Sequence, residues 1–191
     1  GRPLESINPI AVLCFVCGTV LGLVAGGLAL LITFLPRPPV IRPEGIGWHL
    51  EGLAGWLVLP AFGLFAAPVF AIAWLVRTSG WIFHEDYWEN LESIRGTAMI
   101  RFAEMVPYLV GGNLVFAGFI SLFPLFLFAP FFRKSRYFPT LMILLLVVMG
   151  LYEAGMAYIH DKGSPILAMI LVAVWIWYFL VSKRVKVTFR R

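Results

Sequence analysis

The chain has 191 residues, of which 61% are hydrophobic and 13% are charged, and its formal net charge is +5. A soluble domain holds roughly 45–50% apolar and about 25% charged residues, and one core could not bury this much apolar surface. The composition therefore excludes a soluble globular enzyme, a disordered tail and a nucleic-acid-binding protein, and it predicts an integral membrane protein.

The first predicted span covers residues 9–35, because a helix that crosses a membrane needs about 20 mainly apolar residues. Residues 1–8 carry too little positive charge for the start of a signal peptide. Within the span, Gly18, Gly22 and Gly26 recur every four residues, and we call them the glycine strip. Such a strip lets another helix approach closely. That helix can belong to this chain or to another protein.

A proline-rich spacer follows the first span, since four prolines lie between residues 36 and 43. This composition favours a stiff, extended segment over residues 36–47. We therefore predict three parts: an N-terminal transmembrane helix over residues 1–35, the spacer, and a four-helix membrane domain over residues 48–191.

The second predicted span covers residues 52–76, and an acidic outer segment over residues 78–104 follows it. Apolar residues from Trp81 to Ala98 recur at helical spacing, which predicts an amphipathic helix lying on the membrane surface. Four of its five acidic side chains are the candidate binding residues, Glu85, Asp86, Glu89 and Glu92, and the fifth is Glu104. They favour contact with a basic partner, although a merely solvated face is the plainer alternative.

Three further spans are predicted over residues 105–130, with a kink at Pro124, over residues 138–159 and over residues 166–182. The resulting fold class is an all-α integral membrane protein. It has five transmembrane helices, one of them additional to a four-helix domain, together with the amphipathic interfacial helix.

Positive charge predicts the orientation of these spans. Ten Lys and Arg residues fall on the side of the C-terminus and five on the other side. Because basic loops stay in the cytoplasm, the N-terminus is predicted outside and the C-terminus inside. Aromatic and basic residues at the end of the last span predict an anchor at the inner interface. These residues are Trp175, Trp177, Tyr178, Lys183, Arg184 and Lys186.

Polar residues inside the spans form a candidate intramembrane site. Glu153 lies well inside the fourth span, where an ionisable group is costly and is often functional. His160 follows seven residues later on about the same helical face, and the two side chains could relay protons. The alternative is a buried carboxyl group that bonds to a neighbouring helix through Asn113, Tyr152 or Tyr158.

Three stretches are more specific than their composition requires. They cover residues 52–64, residues 131–139 and residues 175–189, and the last contains Ser-Lys-Arg-Val-Lys-Val-Thr-Phe at residues 182–189. Over about residues 48–191, the chain resembles the bacterial inner-membrane family catalogued as domain of unknown function 2569. The resemblance implies a four-helix domain in the bacterial cytoplasmic membrane and implies no reaction. The first helix precedes the usual start of that family.

The sequence lacks the common enzyme motifs, so we expect no catalytic residue, no metal and no cofactor. We predict a non-catalytic accessory or packing subunit in the lipid bilayer, without nucleic acid. It would bind another integral membrane protein or complex through the glycine strip and the acidic outer segment. One alternative is a small transporter or proton-coupled translocator that uses Glu153. Another is a redox subunit or membrane enzyme that uses His84, His160, Cys14 and Cys17.

Overall fold

A computed structural model describes residues 7–35, 57–87, 90, 106–160 and 166–189. Seven helices whose bounds are fully described follow one another in these ranges, residues 85–87 and 90 are also helical, and together they confirm the predicted all-α fold class. The helices are α1 (Pro9–Phe34), α2 (Val58–Ile82), α3 (Val106–Phe126), α4 (Phe128–Phe132), α5 (Phe138–His160), α6 (Ile166–Val181) and α7 (Lys183–Thr188). Among the described residues, β-type pairing is limited to an isolated bridge between Ile7 and His84.

Four stretches of helix are long and apolar enough to cross a membrane. They are Pro9–Phe34, Val58–Ile82, Tyr108–Phe132 and Phe138–Met156. Helix α6 is also apolar but has 16 residues, which corresponds to about 24 Å against a hydrocarbon core about 30 Å thick. The chain is therefore a multi-pass membrane protein whose helices contact the lipid bilayer.

The helices run between two ends of the bundle. At one end, which we call the Asn8 end, the backbone N–H of Asn8 donates to the carbonyl of Phe83, just after α2. At the other, the Arg133 end, the guanidinium of Arg133 lies 4.1 Å from the ring centroid of Phe34, the last residue of α1. Helix α2 is therefore antiparallel to α1, and the loop between α4 and α5 lies at the end where α1 finishes.

Helix α3 forms the centre of the bundle. In an 18-residue stretch of the span that contains it, 56% of the residues are buried, against 22% in the corresponding stretch of α1 and 17% in those of α2 and α5. It packs against α1 and α2, and its Phe116 stacks on Tyr152 of α5. Helices α5 and α6 pack against each other as an antiparallel pair, with Gly150 facing Val172.

Helix α2 is displaced along the sequence from the predicted span over residues 52–76. It starts at Val58 and continues past Arg77 to Ile82. The hydroxyl of Thr78 donates to the carbonyl of Trp74 at 2.8 Å, so this polar side chain is satisfied inside the helix and does not end it. Residues 52–56 lie outside the described ranges.

The predicted amphipathic helix over residues 78–104 is only partly described. Its first five residues, 78–82, belong to α2 and do not form a separate element, because the chain turns only at Phe83 and His84. After this turn residues 85–87 and 90 are again helical, whereas residues 88–89 and 91–105 lie outside the described part of the chain.

The third predicted span is divided into two helices. Helix α3 continues through Pro124, where a kink was predicted, and stops at Phe126. Pro130 has no N–H to bond the carbonyl of Phe126, which lies four residues earlier. The N–H of Leu127 donates to the carbonyl of Pro124 at 3.1 Å, and α4 begins with the next residue.

Candidate functional site

The glycine strip lies against α3 of the same chain. A Cβ atom on Gly18 would collide with the backbone carbonyl of Val115, and one on Gly22 would lie 3.0 Å from the carbonyl oxygen of Phe119. Both glycines are buried. The facing residue numbers rise together along the two helices, so α1 and α3 run parallel. Only residues without a side chain allow the two backbones to approach this closely.

Helix α3 supplies glycines to the same contact. A Cβ atom on Gly118 would lie 2.6 Å from the carbonyl oxygen of Phe15 and 2.8 Å from the amide nitrogen of Thr19. About two turns towards the Asn8 end, a Cβ atom on Gly111 would lie 3.2 Å from the sulfur of Cys14. The sequence-based prediction of a packing strip did not include Gly111 and Gly118. Their spacing of seven residues on one helical face is the signal that could have identified them.

The third glycine of the strip meets a ring and not a backbone. A Cβ atom on Gly26 would overlap the ring of Phe126, the last residue of α3. Gly27 is next in the chain, yet a Cβ atom there would have no neighbour within 4 Å. The strip is therefore occupied by the protein itself along its whole length, which places this predicted surface inside the bundle.

The described polar side chains of the candidate intramembrane site have different surroundings. The hydroxyl of Tyr152 on α5 donates to Oδ1 of Asn113 on α3. The Tyr152 ring stacks on Phe116 with centroids 3.7 Å apart and planes 5° apart. Glu153, the next residue, is exposed. His160 ends α5, and its side chain lies outside the described part of the structure.

Hydroxyl groups inside the spans bond to their own helices. Thr19 donates to the carbonyl of Phe15 at 2.9 Å, and Ser121 donates to the carbonyl of Ala117 at 2.7 Å. In the same way, the hydroxyl of Thr33 donates to the carbonyl of Ala29, one turn earlier in α1. These groups satisfy their hydrogen-bonding capacity locally, which is how a membrane helix carries polar side chains at low cost.

The Asn8 end is organised by a helix cap. Oδ1 of Asn8 accepts from the backbone N–H groups of Ile10 and Ala11, at 2.9 and 3.1 Å, and so satisfies two donors that start α1. The backbone of Asn8 also bonds to Phe83. A single asparagine thus starts α1 and holds the end of α2 beside it.

Part of the acidic outer segment follows this cap directly. Glu85 is half-buried and Asp86 is exposed, whereas Glu89 and Glu92 lie outside the described ranges. The Tyr87 ring packs edge-on against Trp81 with centroids 4.7 Å apart, and burial raises the pKa of the Tyr87 hydroxyl. The two described carboxylates therefore lie, along the chain, between the two members of a packed aromatic pair.

The Arg133 end contains a cluster of four phenylalanines, Phe131, Phe138, Phe179 and Phe189, which we call the aromatic cluster. The centroid of Phe138 lies 4.7 Å from that of Phe189, 5.1 Å from that of Phe131 and 6.2 Å from that of Phe179. All four are buried. Because each ring comes from a different segment, the cluster joins α4, α5, α6 and the end of α7.

The C-terminal motif over residues 182–189 packs α7 onto this cluster. The Ser182 side chain caps α7 by accepting from the N–H of Val185 at 3.4 Å. Val185 and Phe189 are 1% and 4% exposed, whereas Lys183 and Lys186 are exposed. One face of the motif is therefore buried, and its other face carries basic side chains.

The predicted anchor residues surround this motif. Trp175 and Tyr178 are half-buried, and their ring centroids lie 5.6 Å apart. Trp177 is 66% exposed on the outer face of α6. The side chain of Arg184 lies outside the described part of the structure. Whether these residues anchor the chain at the inner interface stays a prediction.

Comparison with known proteins gives one family. The family model described as "Protein of unknown function (DUF2569)" matches residues 50–190. Helix α1 and the glycine strip precede the matched range. No curated protein matches the chain, and no solved structure matches it.

Proposed function

We propose that this chain, which belongs to the DUF2569 family of proteins of unknown function, is a non-catalytic accessory subunit that binds another integral membrane protein. The observation that carries the proposal is the position of Glu153, which is exposed on α5 within the Phe138–Met156 span. A carboxyl group on the outer surface of a membrane helix is costly. A partner that covers and hydrogen-bonds this group removes the cost.

The use of polar groups inside the bundle supports this proposal. The hydroxyls of Thr19 and Ser121 bond within their own helices, and Tyr152 bonds to Asn113. These hydrogen bonds stabilise the fold, so the polar groups that can bind a partner lie on the outer surface of the bundle. Because the glycine strip contacts α3, the proposed association uses Glu153 and the acidic outer segment instead.

The proposed location is the bacterial cytoplasmic membrane, with the N-terminus outside and the C-terminus in the cytoplasm. Two basic segments support this orientation: residues 133–136 and α7, which the aromatic cluster holds at the same end. Glu85 and Asp86 follow Phe83, at the Asn8 end. The positive-inside rule assigns the basic end to the cytoplasm.

Cysteine labelling tests the orientation. With Cys14 and Cys17 replaced by alanine, we expect a membrane-impermeant maleimide to label Asp86→Cys in whole cells. Lys183→Cys should react only after the cells are permeabilised. The reverse pattern would refute the proposed orientation.

Native mass spectrometry of the protein extracted from its own membranes tests the association. We expect a stoichiometric complex with a second membrane protein, and Asp86→Lys should lower the bound fraction at least threefold. The matched control, Ser79→Lys with Gly80→Lys, adds the same two units of positive charge at exposed positions of α2. It should leave the complex intact. A chain that is recovered alone, or only with copies of itself, would refute the accessory role.

A second proposal is a proton-coupled translocator, and it is favoured by the bonded pair of Asn113 and Tyr152 immediately beside Glu153. The two functions differ in their response to Glu153→Gln, which keeps a polar side chain but removes the titrating group. A translocator loses coupled transport with this variant, whereas an accessory subunit keeps its complex and its effect on the partner. Asp86→Asn is the control, because it removes a carboxylate that lies outside the spans.

A further inference from the structure

Helix α4 ends in a Schellman motif that has a lysine at the position where glycine is usual. The N–H of Ser135 donates to the carbonyl of Pro130 at 2.8 Å, and the N–H of Lys134 donates to the carbonyl of Phe131 at 3.0 Å. These two bonds define the motif. Lys134 has φ 52°, in the left-handed region that favours glycine. A glycine would end α4 here without the steric cost that the lysine Cβ imposes.

Two arginines flank this lysine, and aromatic rings hold both of them. The Arg133 guanidinium lies 4.1 Å from the ring centroid of Phe34, and that of Arg136 lies 4.8 Å from the ring centroid of Tyr137. Arg136 Nη2 also donates to the Tyr137 hydroxyl at 2.7 Å. Guanidinium groups that stack on rings lose less freedom when they bind a ligand. Both arginines are exposed, so their remaining donors face outward.

The loop that carries these cations is fixed to the bundle. Ser135 is 0% exposed, and Phe131 and Phe138 on either side belong to the aromatic cluster. The carboxylates with described side chains, those of Glu85, Asp86 and Glu153, belong to α5 and to the Asn8 end. Among the described residues, the Arg133 end therefore presents positive charge on a rigid turn.

We propose that Arg133, Lys134 and Arg136 form a binding site for the phosphate group of an anionic phospholipid. The turn lies at the ends of membrane-crossing helices, which is the depth of the headgroups. Guanidinium forks match phosphate oxygens, and basic groups beside spans attract anionic lipids. A role of the Lys134 ammonium group in binding phosphate accounts for a lysine in a conformation that suits glycine. The site does not depend on the accessory role proposed above.

The test uses opposite effects of one substitution on stability and on lipid binding. In the purified full chain, Lys134→Gly relieves the backbone strain, so its melting temperature should equal or exceed that of the unchanged protein. Binding of phosphatidylglycerol from detergent micelles that contain both phosphatidylglycerol and phosphatidylcholine, measured by native mass spectrometry, should fall at least threefold. Lys134→Asn, which tolerates the same φ, should lose lipid in the same way.

The controls distinguish lipid binding at this site from a general effect of positive charge. Arg77→Gln removes one positive charge from an exposed position of α2 near the Asn8 end and should leave lipid binding unchanged. Unchanged binding in both Lys134 variants, or an equal loss in Arg77→Gln, would overturn the proposal. Inorganic phosphate at millimolar concentration should not displace the lipid. If it does so and binds with the same dependence on Lys134, the site takes a soluble phosphate and the lipid assignment is wrong.

Discussion

The contact between α1 and α3 and the aromatic cluster hold the bundle together in opposite ways. Between α1 and α3, Gly18 and Gly118 bring backbone atoms into contact and leave no room for a Cβ atom. At the Arg133 end, rings such as Phe138 fill the space between segments that remain further apart. The first contact tolerates no added atoms, and the second tolerates no removed atoms.

The difference follows from the solvent. In lipid, burying apolar surface gains little, because the lipid tails are as apolar as the side chains that they contact. Helix α1 therefore depends on close van der Waals contact along the glycine strip. The aromatic cluster lies at the ends of the spans, near the membrane surface. Because water is closer there, burial of its rings away from water contributes more to stability. Substitutions that add or remove atoms at each place test this comparison.

The largest effect is expected from Gly18→Leu. The added side chain would collide with the backbone of Val115, which cannot move without separating the helices. We expect a loss of more than about 3 kcal/mol in the free energy of unfolding, the upper range for overpacking. Reversible unfolding in micelles of rising SDS fraction, followed by tryptophan fluorescence, measures it. Gly27→Leu is the control, because a side chain there is open to its surroundings. Equal losses would refute the close-contact interpretation.

Phe138→Ala should follow, with a loss of about 3 kcal/mol, the low end for removing a buried ring. Phe138 is 0% exposed and contacts three other rings of the aromatic cluster, so the substitution leaves a cavity. The same SDS titration measures the effect. Phe132→Ala, at a side chain that is 65% exposed, removes the same atoms and should change little. A small effect at Phe138 would show that the cluster does not join the segments.

Tyr152→Phe should cost about 1 kcal/mol, in the range of single hydrogen bonds between membrane helices. It removes the bond to Asn113 but keeps the ring that stacks on Phe116. Tyr108→Phe is the matched control, because that side chain is 78% exposed. If both variants unfold alike, the polar pair contributes nothing between α3 and α5.

The smallest effect is expected from Ser182→Ala, about 0.5 kcal/mol, because the capping bond to Val185 is long at 3.4 Å. The loss should be local, so hydrogen exchange of the backbone amides of α7 measures it better than global unfolding. Ser79→Ala, on the exposed face of α2, should leave the exchange of α7 unchanged. Faster exchange throughout the bundle would contradict a local role of the cap.

The sequence was sufficient to predict three of the helices closely but not which helices pack against each other. Length and hydropathy predicted α1, α5 and α6 to within one residue at each end, because the membrane thickness constrains apolar segments strongly. Spacing of four residues also predicted that Gly18, Gly22 and Gly26 face a helix. Spacing cannot name that helix, since α3 lies about 100 residues away along the chain and its own glycines are seven residues apart.

The candidate polar site shows the same limit on a smaller scale. Adjacent residues on a helix differ by about 100° in direction. The sequence placed Tyr152 and Glu153 side by side in one predicted span, yet only the packing of α5 on α3 determines which of them meets Asn113. The structure brings Tyr152 to Asn113 and leaves Glu153 exposed.

The parallel pairing of α1 with α3 has a consequence for biosynthesis. Ribosomes add about 5–20 residues per second, so Val115 is made roughly 5–20 s after Gly18, the residue that it contacts. During this interval α1 has no α3 to contact, so its glycines face lipid or the insertion machinery. A chaperone or insertase that shields a bare glycine face for some seconds would therefore act on this nascent chain between its first and third helices.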